Sequence, residues 1–182
     1  LIEFNINFLR EFRFKLSPIL EISLCKPIEI NVFKLYEFFK IGDNLSLNSL
    51  KKLILNSIRQ NLIRESIPVL YTSREIISPT DKNDLIQFQL FLSAFIAEIV
   101  SAIKNEIGYL ISKGGITTNT IISEGLEADS VYLEGQILPG ISLVTFNLLK
   151  QKGKLPIVTF PGNIGNKMSL VKVLEILENK NF

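Results

Sequence analysis

"LISKGGITTNTII", residues 110–122, decides the fold. An apolar run stops at Lys113-Gly114-Gly115 and resumes as Ile116 followed by Thr117, Thr118, Asn119 and Thr120. Read outward, "GYLIS" at 108–112 has the character of a short strand, and "TTNTIISEGL" at 117–126 reads as a helix closed by Gly125. A strand that turns through adjacent glycines into a helix is the recurring step of a layered α/β domain.

The same step appears along the rest of the chain. "KPIEINVF", 26–33, alternates Ile28, Ile30 and Val32 with Glu29 and Asn31, as a strand does. "SLNSLKKLILNSIRQNLIRES", 46–66, sets Leu50, Leu53, Ile54, Ile58 and Leu62 on one helical face, with Ser46 or Asn48 as its cap. "IPVLYTS", 67–73, reads as a buried strand, and Asp81 or Asp84 then opens a long helix to about residue 106. "SVYLEGQI", 130–137, and "ISLVTF", 141–146, are strands close enough to form a hairpin through Pro139-Gly140. "PIVTF", 156–160, is a strand and "KMSLVKVLEILEN", 167–179, a closing helix; residues 8–24 carry a weaker helical pattern around Pro18. The expected fold is therefore α/β, a three-layer domain with a mainly parallel, mixed central sheet. No linker or repeat divides residues 1–182, which are expected to form a single domain.

Composition narrows the chemistry. The chain has 182 residues, enough to bury a core without a disulfide, and its single cysteine, Cys25, reads as a small apolar residue. It contains no histidine, which excludes Ser-His-Asp and Cys-His catalysis and histidine metal sites within this chain; no metal ligands are assigned. A net charge of +2 supplies no field for nucleic acid, so no nucleic-acid partner is expected. The most membrane-like stretch, "LIQFQLFLSAFIAEIVSAI" at 85–103, carries Gln87, Gln89 and Glu98 and is expected to be a core helix rather than a membrane span. Glu98 is expected on its solvent edge. Charged residues at Glu3, Arg10, Glu11, Arg13 and Lys15 argue against a signal peptide, and a cytoplasmic location is expected. Leu1 in place of methionine is what a fragment or processed product would show.

Ligands of open α/β sheets bind beyond the C-terminal ends of strands. Three such ends are unusual here. At Lys113-Gly114-Gly115-Ile116-Thr117, glycine permits close backbone approach, and the N–H groups of the following helix would face an anion such as phosphate. Pro161-Gly162-Asn163-Ile164-Gly165-Asn166 is a second glycine loop entering a helix. Pattern alone favours an ordinary capped turn at each, since neither is a full phosphate-loop or dinucleotide fingerprint. At Tyr71-Thr72-Ser73-Arg74-Glu75, Ser73 can cap a helix and Arg74 can meet either phosphate or a surface carboxylate. "LEGQILPGI", 133–141, reads as structural, with Gln136 hydrogen-bonding across its loop.

In order, "YTSRE", "LISKGGIT", "GQILPG" and "IVTFPGNIG" resemble the C-terminal nucleotide-binding domain of the four-carbon acid sugar kinases, the threonate, erythronate and 3-oxo-tetronate kinases. The similarity runs from "CKPIEINV" at 25–32 to the end, while residues 1–24 match poorly. The resemblance implies a two-domain kinase that uses ATP and Mg2+, with the acid-sugar site mainly on an N-terminal domain that is not in this chain. On that reading Gly114, Gly115, Ile116 and Thr117 form one nucleotide loop, and Gly162, Asn163 and Gly165 form the second. The catalytic residues are unknown, and the isolated chain is expected to be inactive. A homo-oligomer is left open. The family often has Ser-Ser-Asp where this chain has Thr118-Asn119-Thr120, and it tends to carry a tryptophan that is absent here. The alternative reading is an inactive nucleotide-binding relic or binding module.

Overall fold

Strand β1 (Cys25–Ile30) ends where Asn31 turns the chain. The Asn31 side chain accepts from the Lys34 N–H at 2.7 Å and so caps helix α1 (Val32–Ile41). The strand alternation expected through residue 33 is cut short by this cap. Gly42, at φ 66°, closes α1. Asp43 then accepts from the Ser46 N–H at 3.0 Å and opens helix α2 (Asn44–Ile63), displacing the expected cap at Ser46 or Asn48. A carboxylate suits that position because it meets the exposed N–H groups and the positive end of the helix dipole. The same bonds to Ser46 hold the Asp43 carboxyl below its ordinary range. These elements come from a computed structural model that describes residues 23–73, 77, 82–148 and 153–179. Most of the helix expected at 8–24, and Arg74, Glu75 and Asp81, lie outside the described residues.

Contacts group the chain into two compact units, with the boundary between Leu92 and Ser93. In the first, β1 runs parallel to β2 (Ile67–Thr72), with Cys25 opposite Ile67 and Ile30 opposite Thr72. Strand β2 is half-buried along its length, and Cys25, Ile28, Ile30, Leu35, Leu47, Ile54 and Ile58 form the buried apolar set. Ser73, just past β2, is buried; its hydroxyl accepts from the Val32 N–H at 2.8 Å. It does cap a helix, but the helix is α1, 41 residues earlier. Helix α3 (Lys82–Ile103) starts in this unit, where Phe88 meets Tyr36 edge-on at 5.1 Å and Phe91 meets Phe39 at 5.0 Å. Lys40 and Asp84 form an ion pair beside these rings.

The second unit holds the rest of α3 and a four-stranded sheet in the order β3-β6-β5-β4. Its strands are β3 (Leu110–Lys113), β4 (Tyr132–Leu138), β5 (Ile141–Leu148) and β6 (Gly153–Phe160). β3 and β6 are parallel; β4, β5 and β6 are antiparallel, with β4–β5 the expected hairpin. The mixed α/β class expected from the sequence is the class observed, with parallel and antiparallel pairs together. Strand β6 is buried on both faces. Leu155 and Ile157 pack with Val144 against Ala97 and Val100 of α3 and against Ile121 and Leu126. Helix α5 (Ser169–Asn179) buries Leu170, Val171, Val173, Leu174 and Leu177, and its first turn lies beside the Phe160 ring. The α3 segment Asn83–Ile103 is long and apolar enough to cross a membrane, yet it sends Ala97 and Val100 into this core while Glu98 is exposed.

On the sheet's exposed edge, the Thr145 hydroxyl donates to Glu134 at 2.7 Å and the Lys154 ammonium lies 3.4 Å from the same oxygen. The Thr145 bond first, and the Lys154 charge second, hold the Glu134 carboxyl below the usual carboxylate range. A depressed folded value adds stability above the unfolded value, and that contribution is lost as pH falls through the folded one.

Helix α4 (Gly115–Thr120) continues as a π-helical turn, Ile121–Gly125. A Cβ at Gly125 would stand 2.8 Å from the Ala97 carbonyl oxygen, so only glycine lets this turn lie on α3. Lys104 donates to the Gly125 carbonyl at 3.2 Å and closes the helix end. Gly125→Ala is therefore expected to cost about 1–3 kcal/mol through overpacking, read as a lower urea midpoint.

Candidate functional site

The parallel register sets Lys113 opposite Phe160, so both glycine loops leave the sheet side by side at the C-terminal ends of β3 and β6. The Gly114 N–H donates to the Phe160 carbonyl at 3.0 Å. The Lys113 ammonium then crosses to the second loop, donating to the Pro161 carbonyl at 2.9 Å and the Gly162 carbonyl at 3.1 Å. It also stands 4.3 Å from the centroid of the Phe160 ring. A cation from one loop thus satisfies carbonyls of the other. Sequence reasoning did not single out Lys113; the available signal was a cation immediately before Gly-Gly.

In the first loop, Gly114 has φ 105° and ψ 132°, a conformation that side chains rarely adopt. It occupies the N-cap position of α4, where no side-chain oxygen caps the helix. The first-turn N–H groups of Gly115, Ile116 and Thr117 have no partner further back in the helix. A Cβ at Gly114 or Gly115 would meet nothing within 4 Å, so the space above this turn is open. The threonines divide in role. Thr118 shares a 2.8 Å hydrogen bond with Ser112, both buried, and the Thr120 hydroxyl donates back to the Ile116 carbonyl at 3.0 Å. Thr117 is half-buried, 3.5 Å from the Ser93 hydroxyl, and Ile116 is exposed.

The second loop is more self-contained. Gly165 has φ 86°, and a Cβ there would lie 2.9 Å from Cζ of Phe160 and 3.0 Å from Ser169. The Asn166 side chain accepts from the Met168 N–H at 2.9 Å, and the Ser169 hydroxyl accepts from the Asn166 N–H at 2.9 Å. This reciprocal pair works as a capping box for α5. The helix after the second loop therefore caps itself, unlike α4. What the second loop presents beside Gly114-Gly115 is its first half, with Gly162 half-buried and Asn163 exposed.

An uncapped first turn, open space over two glycines and a nearby ammonium suit an anionic group such as phosphate. Among the described residues, no group of three or more acidic, cysteine or histidine side chains could hold a metal ion. At the third strand end, the Ser73 hydroxyl is committed to α1, and Arg74 and Glu75 lie outside the described residues.

A family model described as the nucleotide-binding C-terminal domain matches residues 42–170, most of the chain. No curated protein matches. Among solved structures, the chain is similar to a domain of unknown function (DUF1537) from Bordetella bronchiseptica, a domain-swapped dimer with bound citrate. In one crystal form the TM-score is 0.68 at 15% identity, covering 93% of this chain and 39% of that one. In a second form the values are 0.62 at 14%, covering 95% and 38%. It is also similar to a putative tRNA synthase from Salmonella typhimurium LT2, at TM-score 0.60 and 12% identity, covering 90% and 37%. The chain thus spans about two-fifths of the length of these proteins. At such identities the likeness is one of fold.

Gly165→Ala combines a left-handed backbone with a clash against Phe160. It is expected to destabilise the protein by about 1–3 kcal/mol, measured by chemical denaturation.

Proposed function

Because the chain belongs to the family of nucleotide-binding C-terminal domains, we propose that it is the ATP-binding domain of a four-carbon acid sugar kinase. The observation that carries the reading is the Lys113 bridge to the Pro161 and Gly162 carbonyls, which joins both glycine loops at one edge of the sheet. The backbone N–H groups of Gly115, Ile116 and Thr117 would hold phosphate oxygens, and the Thr117 hydroxyl would add a donor. Gly162 and Asn163 would line the other side, with Gly165 shaping the turn that presents them. ATP supplies the γ-phosphoryl group when bound, and Mg2+ carried on its phosphates neutralises their charge. The work of this chain is positioning and charge neutralisation. The sugar acid that carries the acceptor hydroxyl would be held, and the base that deprotonates it supplied, by a separate N-terminal acid-sugar domain, in the cytoplasm.

A second reading, a nucleotide-binding relic, draws support from Thr118-Asn119-Thr120. The hydroxyls of Thr118 and Thr120 are spent within the packing, and no carboxylate stands among these residues. Both readings require nucleotide binding; they part on phosphoryl transfer once an acid-sugar domain is supplied.

Calorimetric titration with Mg-ATP tests the shared claim. Binding is expected for the natural sequence and its loss in both Gly115→Val and Gly162→Val. Gly115 has open space around it, so its variant should melt close to the parent while failing to bind. Absence of binding heat at millimolar nucleotide would refute the site.

A further inference from the structure

The β4–β5 hairpin turn has so far carried only a structural reading, yet it touches the second glycine loop. Gln136 accepts from the Gly140 N–H at 3.1 Å, closing the turn across Pro139 with a side chain that is itself exposed. Gly140 has φ 76°, and a Cβ there would lie 3.3 Å from both Cδ1 and Cγ2 of Ile164. Ile164 therefore rests on the bare backbone of Gly140, between Asn163 and Gly165. Its own N–H reaches back to the Pro161 carbonyl at 3.4 Å, a long bond that holds the loop weakly from within. The loop is thus supported from two sides: Lys113 takes its carbonyls at Pro161 and Gly162, and the hairpin turn takes its apolar side chain at Ile164.

We infer that Gln136, through Gly140 and Ile164, is a positioning residue for the nucleotide site. The inference rests on the nucleotide reading above and adds a third segment to the two loops. Gln136 touches no ligand in this scheme. It fixes the turn, the turn seats Ile164, and Ile164 sets where Gly162 and Asn163 lie. A loop ordered before the ligand arrives spares the entropy of ordering it on binding. The exposed position of Gln136 separates this role from core stability, since replacing it disturbs no buried packing.

The test compares Gln136→Met, which keeps the length but lacks the acceptor, with Ile164→Ala and with the double variant. Amide exchange at residues 162–166 is followed without nucleotide, and Mg-ATP affinity is measured by calorimetry. Each single change is expected to speed exchange in this loop and to weaken Mg-ATP binding about fivefold, since Gln136→Met gives up one hydrogen bond and Ile164→Ala the apolar contact that this bond seats. The double variant is expected to bind within about twofold of the weaker single variant, because both act along one chain of contacts. Exchange at 162–166 unchanged in Gln136→Met, or affinity losses that multiply in the double variant, would overturn the proposal. A parent protein that fails to bind Mg-ATP would overturn the nucleotide reading and the positioning role with it. Parent binding with an unaltered loop would overturn the positioning role alone.

Discussion

The candidate site depends on the four-residue parallel pairing of β3 with β6. Loops at residues 113–117 and 161–166 are far apart in the chain, and each alone is a turn before a helix. Setting Lys113 opposite Phe160 brings the loops to one edge, where the Gly114 N–H can reach the Phe160 carbonyl and the Lys113 ammonium can reach Pro161 and Gly162. A slip of one residue in this register would send Lys113 to the other face of the sheet and dissolve the bridge. The burial of β6 on both faces is what makes such a slip costly.

The glycines show how one residue type serves opposite ends. Gly125 and Gly165 are glycines because neighbours crowd them: the Ala97 carbonyl in one case, Phe160 and Ser169 in the other. Gly114 and Gly115 have nothing within contact distance of a Cβ. Gly114 still needs its left-handed φ, but packing within the chain gives no reason for glycine at Gly115, a helical position where alanine would be the better helix former. A residue type that local propensity disfavours and packing does not require is what the proposed approach of a ligand to the backbone would call for.

The two loops also differ in a way that their similar sequences conceal. Both have paired glycines before a helix. Helix α4 begins at a glycine with no side chain to offer, whereas at the start of α5 the Asn166 side chain takes the Met168 N–H and the Ser169 hydroxyl takes the Asn166 N–H. In the proposed site the uncapped N–H groups therefore lie with the first loop, and the second would contribute a wall. Lys113 and the Gly140–Ile164 contact hold that wall in place.

Much of this was legible in the residues themselves. Strand-to-helix order, the hairpin at Pro139-Gly140, the solvent-facing Glu98 and the two glycine loops follow from apolar periodicity and turn chemistry, which act over a few residues. Periodicity misplaced some helix and strand ends, where capping side chains decide the boundary. Asn31 continued a strand's alternation in the sequence but ends β1 as the cap of α1; Ser73 caps that same helix from beyond β2. Asp43 outcompeted Ser46 and Asn48 through its charge at a helix start. The sequence by itself determined that this chain is an α/β protein with two glycine loops at strand ends, because periodicity and glycine's backbone freedom are properties of short segments. Only the tertiary structure decided that the loops share one edge, that Lys113 joins them and that Ser73 caps α1 from beyond β2, because strand register and these hydrogen-bond partners are set by residues far apart in the chain.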